Sequence, residues 1–339
     1  MASGYPERPK DPAWTTQLPT AENFVLQSPP KQSLKARFAD GDPTLAPIPS
    51  TLTLKSPQPS HSPFILAFSS EVLATQFTVI ERDALEEIDW KELVELRWSK
   101  GPTPVLNWAD YMRIPDQTGV DIVIARFNLV VKWAVSEILL TTDIYDRART
   151  ITKLIHIASH ARHLRNYATA YQLTIALLST AVSRLRKTWE LVQPSEKETL
   201  ASLEQLVQPM RNFATLRQEM EASLLAPAII YVSLKPGACI PFIGIYTHDL
   251  AYIAQKPAFV DAAGNPVAAP IAGGVSAGAG AMVNFERFQA AAAAVKNMLR
   301  LLEASAKYTI RPNRELVARC LWLAALEDAD LEGRSRALE

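Results

Sequence analysis

The sequence predicts an all-α protein, and three observations carry that reading. Long stretches between residues 71 and 220 repeat their apolar residues near the helical period of about 3.6. No comparable stretch alternates apolar and polar residues as a half-buried strand does; only the short apolar run AIIYVSLKPGACIPF at 228–242 looks strand-like. Prolines crowd the start of the chain, 11 of 24 within residues 1–60, and leave the rest open to helix.

Taken in order, residues 1–62 read as an irregular Pro-rich tail, because proline removes a backbone donor and biases its predecessor away from the helical region. From about Pro63 the pattern turns helical. EVLATQFTVIERDALEEI sets Val72, Leu73, Phe77, Ile80, Leu85 and Ile88 near one face. DIVIARFNLVVKWAVSEILL, DRARTITKLIHIASHARHL and YATAYQLTIALLSTAVSRL follow, each rich in Ala, Leu and Ile. EKETLASLEQLVQPMRNFATLRQEM, from Glu196 to Met220, is expected as one more helix. Residues 257–282 are rich in Gly, Ala and Pro, carry Asp261 as their one charge, and are expected as a long loop between two helices.

Composition excludes several classes of function. Thirty-five Lys and Arg balance 35 Asp and Glu, so the formal net charge is zero. A nucleic-acid module needs a basic surface to displace counterions, and a polybasic membrane anchor needs an excess of cations. No apolar run reaches the roughly 18 residues of a membrane-spanning helix, and MASGYPERPKDPAW has no signal core. Two cysteines, Cys239 and Cys320, make no disulfide framework, and Asn-x-Ser/Thr is absent; both features point to an intracellular, cytoplasmic protein.

No motif points to side-chain chemistry. Phosphate-cradling Gly-rich patterns and H-E-x-x-H are missing. Gly274-Val275-Ser276-Ala277-Gly278 matches a nucleophile elbow in letters, but lies in a Gly/Ala loop without the preceding strand that an elbow needs. His156, His160 and His163 share a helix face, yet no carboxylate or Cys completes a ligand set, so they read as hydrogen-bonded surface histidines and no metal or cofactor is expected. What remains is a helical surface suited to binding.

Seven stretches, in order, give that surface a family likeness. They are Gln76-Phe77-Thr78 with Glu81; Phe127-Asn128 with Trp133, Val135 and Glu137-Ile138-Leu139; Arg147-Ala148 leading to Leu154-Ile155 and Asn166-Tyr167; Ile175 to Ser179 with Thr188-Trp189; Asn212-Phe213 ahead of Leu216-Arg217; Ile240-Pro241-Phe242 with Gly244-Ile245-Tyr246 and Asp249-Leu250; and Asn284-Phe285 with the terminal helix around Arg319 to Leu331. In this order and at these spacings, residues 63–339 resemble the catalytic domain of Ras-family guanine-nucleotide exchange factors, in the style of its fungal members.

The resemblance implies an all-α bowl with a protruding helical hairpin, and a Ras-family small GTPase as partner, bound best in its nucleotide-free form. It implies an exchange factor that works without covalent chemistry and reaches membranes, if at all, through its GTPase. A pocket gripping the switch 2 segment is implied at Gln76, Thr78, Tyr171, Leu178, Phe213 and Phe242, although Leu178, Phe213 and Phe242 would equally suit a core. The hairpin's first limb is expected from Pro241 to about Lys256 and its second from near Val283. The candidate wedge residues are Thr247, Leu250, Ala251, Tyr252 and Gln255. Within the first limb, Tyr246, Leu250, Ile253 and Pro257 share one face and should pack inward, while Thr247, Ala251 and Gln255 share the other and should face the GTPase.

Three features depart from the family. Ala251 and Gln255 are small or neutral where some members carry bulk and an acid. The inter-limb loop is long. Residues 1–62 are too short and too Pro-rich for the helical module that usually braces the hairpin, so the chain is expected to be a piece of a longer protein. The neutral tip leaves a second reading open, a catalytically weak scaffold that binds a small GTPase.

Overall fold

The structure is a computed structural model that describes residues 61–98, 105–268 and 281–339. The expected tail, apart from its last two residues, and residues 269–280 of the expected loop lie outside the described residues. Those described form helices, short 3-10 turns and one pair of two-residue strands.

Polar caps open the four long helices between Ser70 and Leu178, because a side-chain oxygen there satisfies a backbone donor that the first turn leaves unpaired. Ser69 caps α1 (Ser70–Leu85), and Thr118 forms a reciprocal capping box with Asp121 at the head of α2 (Gly119–Leu140). Asp143 caps α3 (Ile144–His163), and Asn166 caps α4 (Tyr167–Leu178). The turn between α3 and α4 is tight, with Arg165 in the left-handed region at φ 59°. Fifteen of the 22 residues of α2 are buried, so it packs on several sides rather than along one stripe.

Two expected helices are each broken. The stretch from Tyr167 to Leu185 ends α4 at Leu178; Ser179 is extended at φ −60°, ψ 149°, and a short second helix follows at Thr180–Ser183. The stretch expected as one helix from Glu196 to Met220 divides into α5 (Pro194–Val207) and α6 (Met210–Ser223). Pro209 explains the second break, since its ring drives Gln208 into an extended conformation, φ −62°, ψ 133°. The apolar run at 228–242 holds a 3-10 turn at Ile230–Val232 and isolated bridges, among them Leu234 to Tyr308 and Asn166 to Ile240.

The hairpin is formed by α7 (Gly244–Ala254) and α8 (Phe285–Ser305), which pack on each other. The limbs are joined at their far ends by strands β1 (Phe259–Val260) and β2 (Met282–Val283), antiparallel with Phe259 opposite Val283. The stretch expected as loop therefore begins and ends as a β-ribbon. Its first arm turns back on itself: Asp261 Oδ1 accepts from the amides of Ala263 and Asn265, Gly264 takes φ 85°, and the Val267 amide donates to the Phe259 carbonyl. Helices α9 (Arg314–Leu321) and α10 (Asp328–Leu338) close the order, α9 against α1 and α10 against α2.

A buried ion pair ties the ends of the domain together. Arg126 on α2 meets Glu81 on α1 at 3.4 Å and donates to the carbonyls of Leu321 at 3.1 Å and Cys320 at 2.6 Å. Burial pushes the Glu81 carboxyl upward, partly offset by the Arg126 charge.

Candidate functional site

Four aromatic rings from four segments meet beside the root of the hairpin. Phe127 comes from α2, Tyr171 from α4, Phe213 from the start of α6, and Phe242 from the run just ahead of α7. Tyr171 and Phe242 are stacked at 4.3 Å between centroids, Phe127 lies 4.9 Å from Phe242 and 5.6 Å from Tyr171, and Phe213 stands 6.2 Å from Tyr171. All four are half-buried, so the cluster has an open side. Burial raises the Tyr171 phenol above its ordinary value. Gly244 makes room for the arrangement, because a Cβ there would lie 2.4 Å from Phe242 Cζ.

The structure thus brings three of the six expected pocket residues together: Tyr171, Phe213 and Phe242. Leu178, 36% exposed, is seven residues on from Tyr171 and so on the same face of α4. Gln76 and Thr78 are elsewhere in role. Gln76 Oε1 accepts from the Asn313 amide, joining α1 to the head of α9. Thr78 is fully buried; its hydroxyl donates to the Ala74 carbonyl and accepts from Asn166 Nδ2 at 3.0 Å. Both side chains are engaged inside the fold rather than on an open face.

On α7 the expected two faces are only partly realised. Tyr246 and Leu250 are buried, as their spacing implies, and Ala251 and Gln255 are exposed. Thr247 differs from its expected outward place. It is 7% exposed and its hydroxyl donates to the Gly244 carbonyl, because the first turn of α7 still lies against the domain. Tyr252, 62% exposed, stands beside Ala251 on the open side, and the opposing limb adds exposed Phe285 and Phe288. Leu250, a candidate wedge residue, is buried and belongs to the inward face.

Two connections link the pocket to the hairpin. Arg217 of α6 donates to Asp249 Oδ2 at 2.7 Å, and Asn212 Nδ2 donates to Asp249 Oδ1 at 3.1 Å. The Arg217 guanidinium also lies 5.2 Å from the centroid of the Tyr246 ring, whose phenol burial pushes up to about 12. Phe127, Asn212, Arg217 and Asp249 were not foreseen as site residues, although all four stand inside the short stretches that carry the family likeness. Sequence spacing could not show that these stretches converge.

Of the helix histidines, His156 Nε2 lies 2.6 Å from Glu196 Oε2, and His163 is exposed. Among the described residues no group of three or more His, Cys, Asp or Glu could hold a metal ion.

Known proteins resemble the chain over the span that holds this constellation. The RasGEF domain description matches residues 72–289, a span that holds all four rings and the whole of α7. The chain is 34% identical over 276 residues to the guanine nucleotide exchange factor LTE1 of Candida glabrata, covering 80% of this chain and 19% of that protein. It is 30% identical over 273 residues to LTE1 of Saccharomyces cerevisiae, covering 80% and 17%. Over 186 residues it is 31% identical to the Ras guanine nucleotide exchange factor W of Dictyostelium discoideum, covering 55% and 14%. The chain spans less than a fifth of the length of each of these relatives.

Proposed function

The chain belongs to the RasGEF domain family, and on that premise we propose that it promotes GDP release from a Ras-family small GTPase. The observation that carries the reading is the half-buried aromatic cluster of Phe127, Tyr171, Phe213 and Phe242 at the root of the α7–α8 hairpin. An open apolar pocket of aromatic rings is what an anchor for a partner's apolar segment requires, and here the segment is switch 2. The hairpin beside it is the wedge, presenting Ala251, Tyr252 and Gln255 toward the nucleotide site.

The energetics need no catalytic side chain. A nucleotide held with a dissociation constant near picomolar is bound by roughly 16 kcal/mol, so its spontaneous release is slow. A protein that binds the nucleotide-free GTPase better than the loaded form lowers nucleotide affinity by the same factor, because the coupling is reciprocal. The direction of exchange then follows the surrounding GTP excess.

No helix among the described residues is long and apolar enough to cross a membrane. The cytoplasm is the proposed place of action, with membranes reached through the GTPase. The test is release of fluorescent GDP from a panel of Ras-family GTPases. Acceleration by the parent chain supports exchange. One observation favours a second reading: the outward residues Ala251 and Gln255 carry no charge to imitate a phosphate. Binding to nucleotide-free GTPase without acceleration would favour that reading, a GTPase-binding scaffold.

A further inference from the structure

We propose that Asp249, held by Arg217 and Asn212, is a positioning strut that sets the hairpin relative to the aromatic pocket, so that a GTPase segment docked on the pocket finds the wedge already aimed. The proposal rests on the exchange-factor reading and adds residues to it.

The geometry is unusual at one end. Arg211, Asn212 and Phe213 take φ/ψ of 52/44°, 55/52° and 58/40°, three consecutive left-handed residues without a glycine. L-residues avoid this region, which in isolation only Asn and Asp visit readily. Such a turn persists only where its surroundings hold it. Here Arg217 Nε donates to the Asn212 carbonyl at 2.8 Å from one turn further along α6, and Asp249 accepts from the Asn212 side chain across the gap to α7. The same turn carries Phe213 into the ring cluster. One carboxylate therefore fastens the pocket's edge and the wedge's first limb at once.

At the other end, the Arg217 guanidinium bridges Asp249 and the face of Tyr246, both on α7. A planar fork with two kinds of partner fixes orientation better than a point charge does. The Arg217 and Asp249 side chains are about three-quarters shielded, at 24% and 23% exposure, so screening does not erase the contact. Beyond the pair a cleft of about 260 Å³ runs between the limbs, lined by Tyr252, Ala290, Ala294 and Asn297. Contact between the limbs is thus incomplete beside Asp249, so the strut supplies bracing there.

The experiment uses the full 339-residue chain and a Ras-family GTPase loaded with fluorescent GDP. Three variants are compared with the parent: Asp249→Ala, Asp249→Asn, and Asn212→Gly. Glycine suits the left-handed turn, so Asn212→Gly removes the contact to Asp249 without disturbing the backbone that carries Phe213. A misaimed wedge lowers the maximal release rate while the anchor still sets the half-saturating concentration. The expected result is a fall in maximal rate of about tenfold for Asp249→Ala, smaller falls for Asp249→Asn and Asn212→Gly, half-saturation within about twofold of the parent, and faster amide hydrogen exchange in α7. An active parent with an Asp249→Ala variant at the parent's rate overturns the strut alone. So does a loss of rate that only tracks a fall in melting temperature, or one shared with a proportional rise in half-saturation. A parent that accelerates no release overturns the exchange-factor reading itself, and the strut's part in exchange with it.

Discussion

The Tyr171 ring lies almost flat on the Phe242 ring, 4.3 Å between centroids and 17° between planes. Tyr171 is in the middle of a helix and Phe242 is in the irregular run before another. Their stacking joins the core helix pair α3–α4 to the first limb of the hairpin, and leaves an edge of each ring open to a partner.

Removing that edge should weaken the proposed partner contact without unfolding the protein. Truncating an aromatic anchor costs about 2 kcal/mol or more, roughly thirtyfold in affinity. Tyr171→Ala should lose this much binding to nucleotide-free GTPase in an EDTA pull-down or titration, while Tyr171→Phe stays near the parent, since no contact to the hydroxyl shapes the stack. Equal binding by Tyr171→Ala and parent would remove Tyr171 from the interface; a collapse of helicity would assign it to the core.

The exposed face of α7 makes a second test. Ala251→Leu together with Gln255→Glu adds bulk and negative charge where the limb is open. Contacts made in the displaced state but not in the loaded complex raise the rate, and about 1.4 kcal/mol of such contact is tenfold. Gln255 is the C-cap of α7, so a carboxylate there costs about 0.3–1 kcal/mol against the helix dipole. Release of fluorescent GDP at saturating exchange factor should still rise by several-fold. A rate at or below the parent's, with binding intact, would favour the scaffold reading.

The buried pair in the core predicts stability rather than exchange. Arg126→Met leaves the Glu81 carboxylate buried without its counter-charge and takes a donor from the Cys320 and Leu321 carbonyls, the second of which keeps the Leu323 amide. Breaking one partner of a buried pair costs about 3–5 kcal/mol. The double variant Arg126→Met, Glu81→Gln should recover part of that, because the uncompensated charge is gone. Urea midpoints at neutral pH measure both, and a single-variant loss under about 1 kcal/mol would contradict the assignment.

Gly119 opens α2 against the end of α1, where an added Cβ would sit 2.0 Å from the Glu87 carbonyl oxygen. Its amide and that of Val120 both donate to the Glu92 carboxylate at 3.0 Å. Gly119→Ala must therefore shift backbone against backbone, at a cost of about 1–3 kcal/mol. The melting temperature should fall by several degrees, about 2–4 °C for each kcal/mol in a domain of this size class. An unchanged midpoint would show that the two helices separate freely there.

One histidine links stability to pH. Burial lowers the His160 pKa, the charges of His156 and His163 lower it further, and Glu71 opposes them. A lowered folded-state pKa favours the neutral ring in the native protein, so protonation favours unfolding. The contribution is present above the ordinary value of about 6.5 and is lost as pH falls below it through the lowered folded pKa. His160→Gln should flatten the fall in melting temperature between about pH 7.5 and 5 relative to the parent. Identical slopes would show that His160 does not sense pH in the fold.

Helices were the most legible part of this protein, because a 3.6-residue period is written along the chain itself. Their ends were less so: the break at Pro209 needed only the proline rule, but Ser179 carries no such signal, and α4 ends there. The β-ribbon at the hairpin's end was hidden for a related reason, since two-residue strands show no period at all. In the pocket, Tyr171, Phe213 and Phe242 were each visible from the family likeness, which also offered Gln76 and Thr78, whose side chains bond within the fold. Spacing along α7 put Thr247 outward, whereas the domain reaches over the helix's first turn and covers it.

The sequence by itself determined the helical class, the zero charge that speaks against nucleic acid, and the family. These depend on composition and on order along one chain. Only the tertiary structure decided which residues share the site, because Phe127, Tyr171, Phe213 and Phe242 lie 115 positions apart from first to last and their meeting depends on how four separate segments pack. It also decided that Asp249 receives both Asn212 and Arg217. That contact depends on a left-handed turn that Arg211 and Phe213 do not favour locally, held in part by hydrogen bonds to Asp249 that exist only once α6 and α7 are side by side.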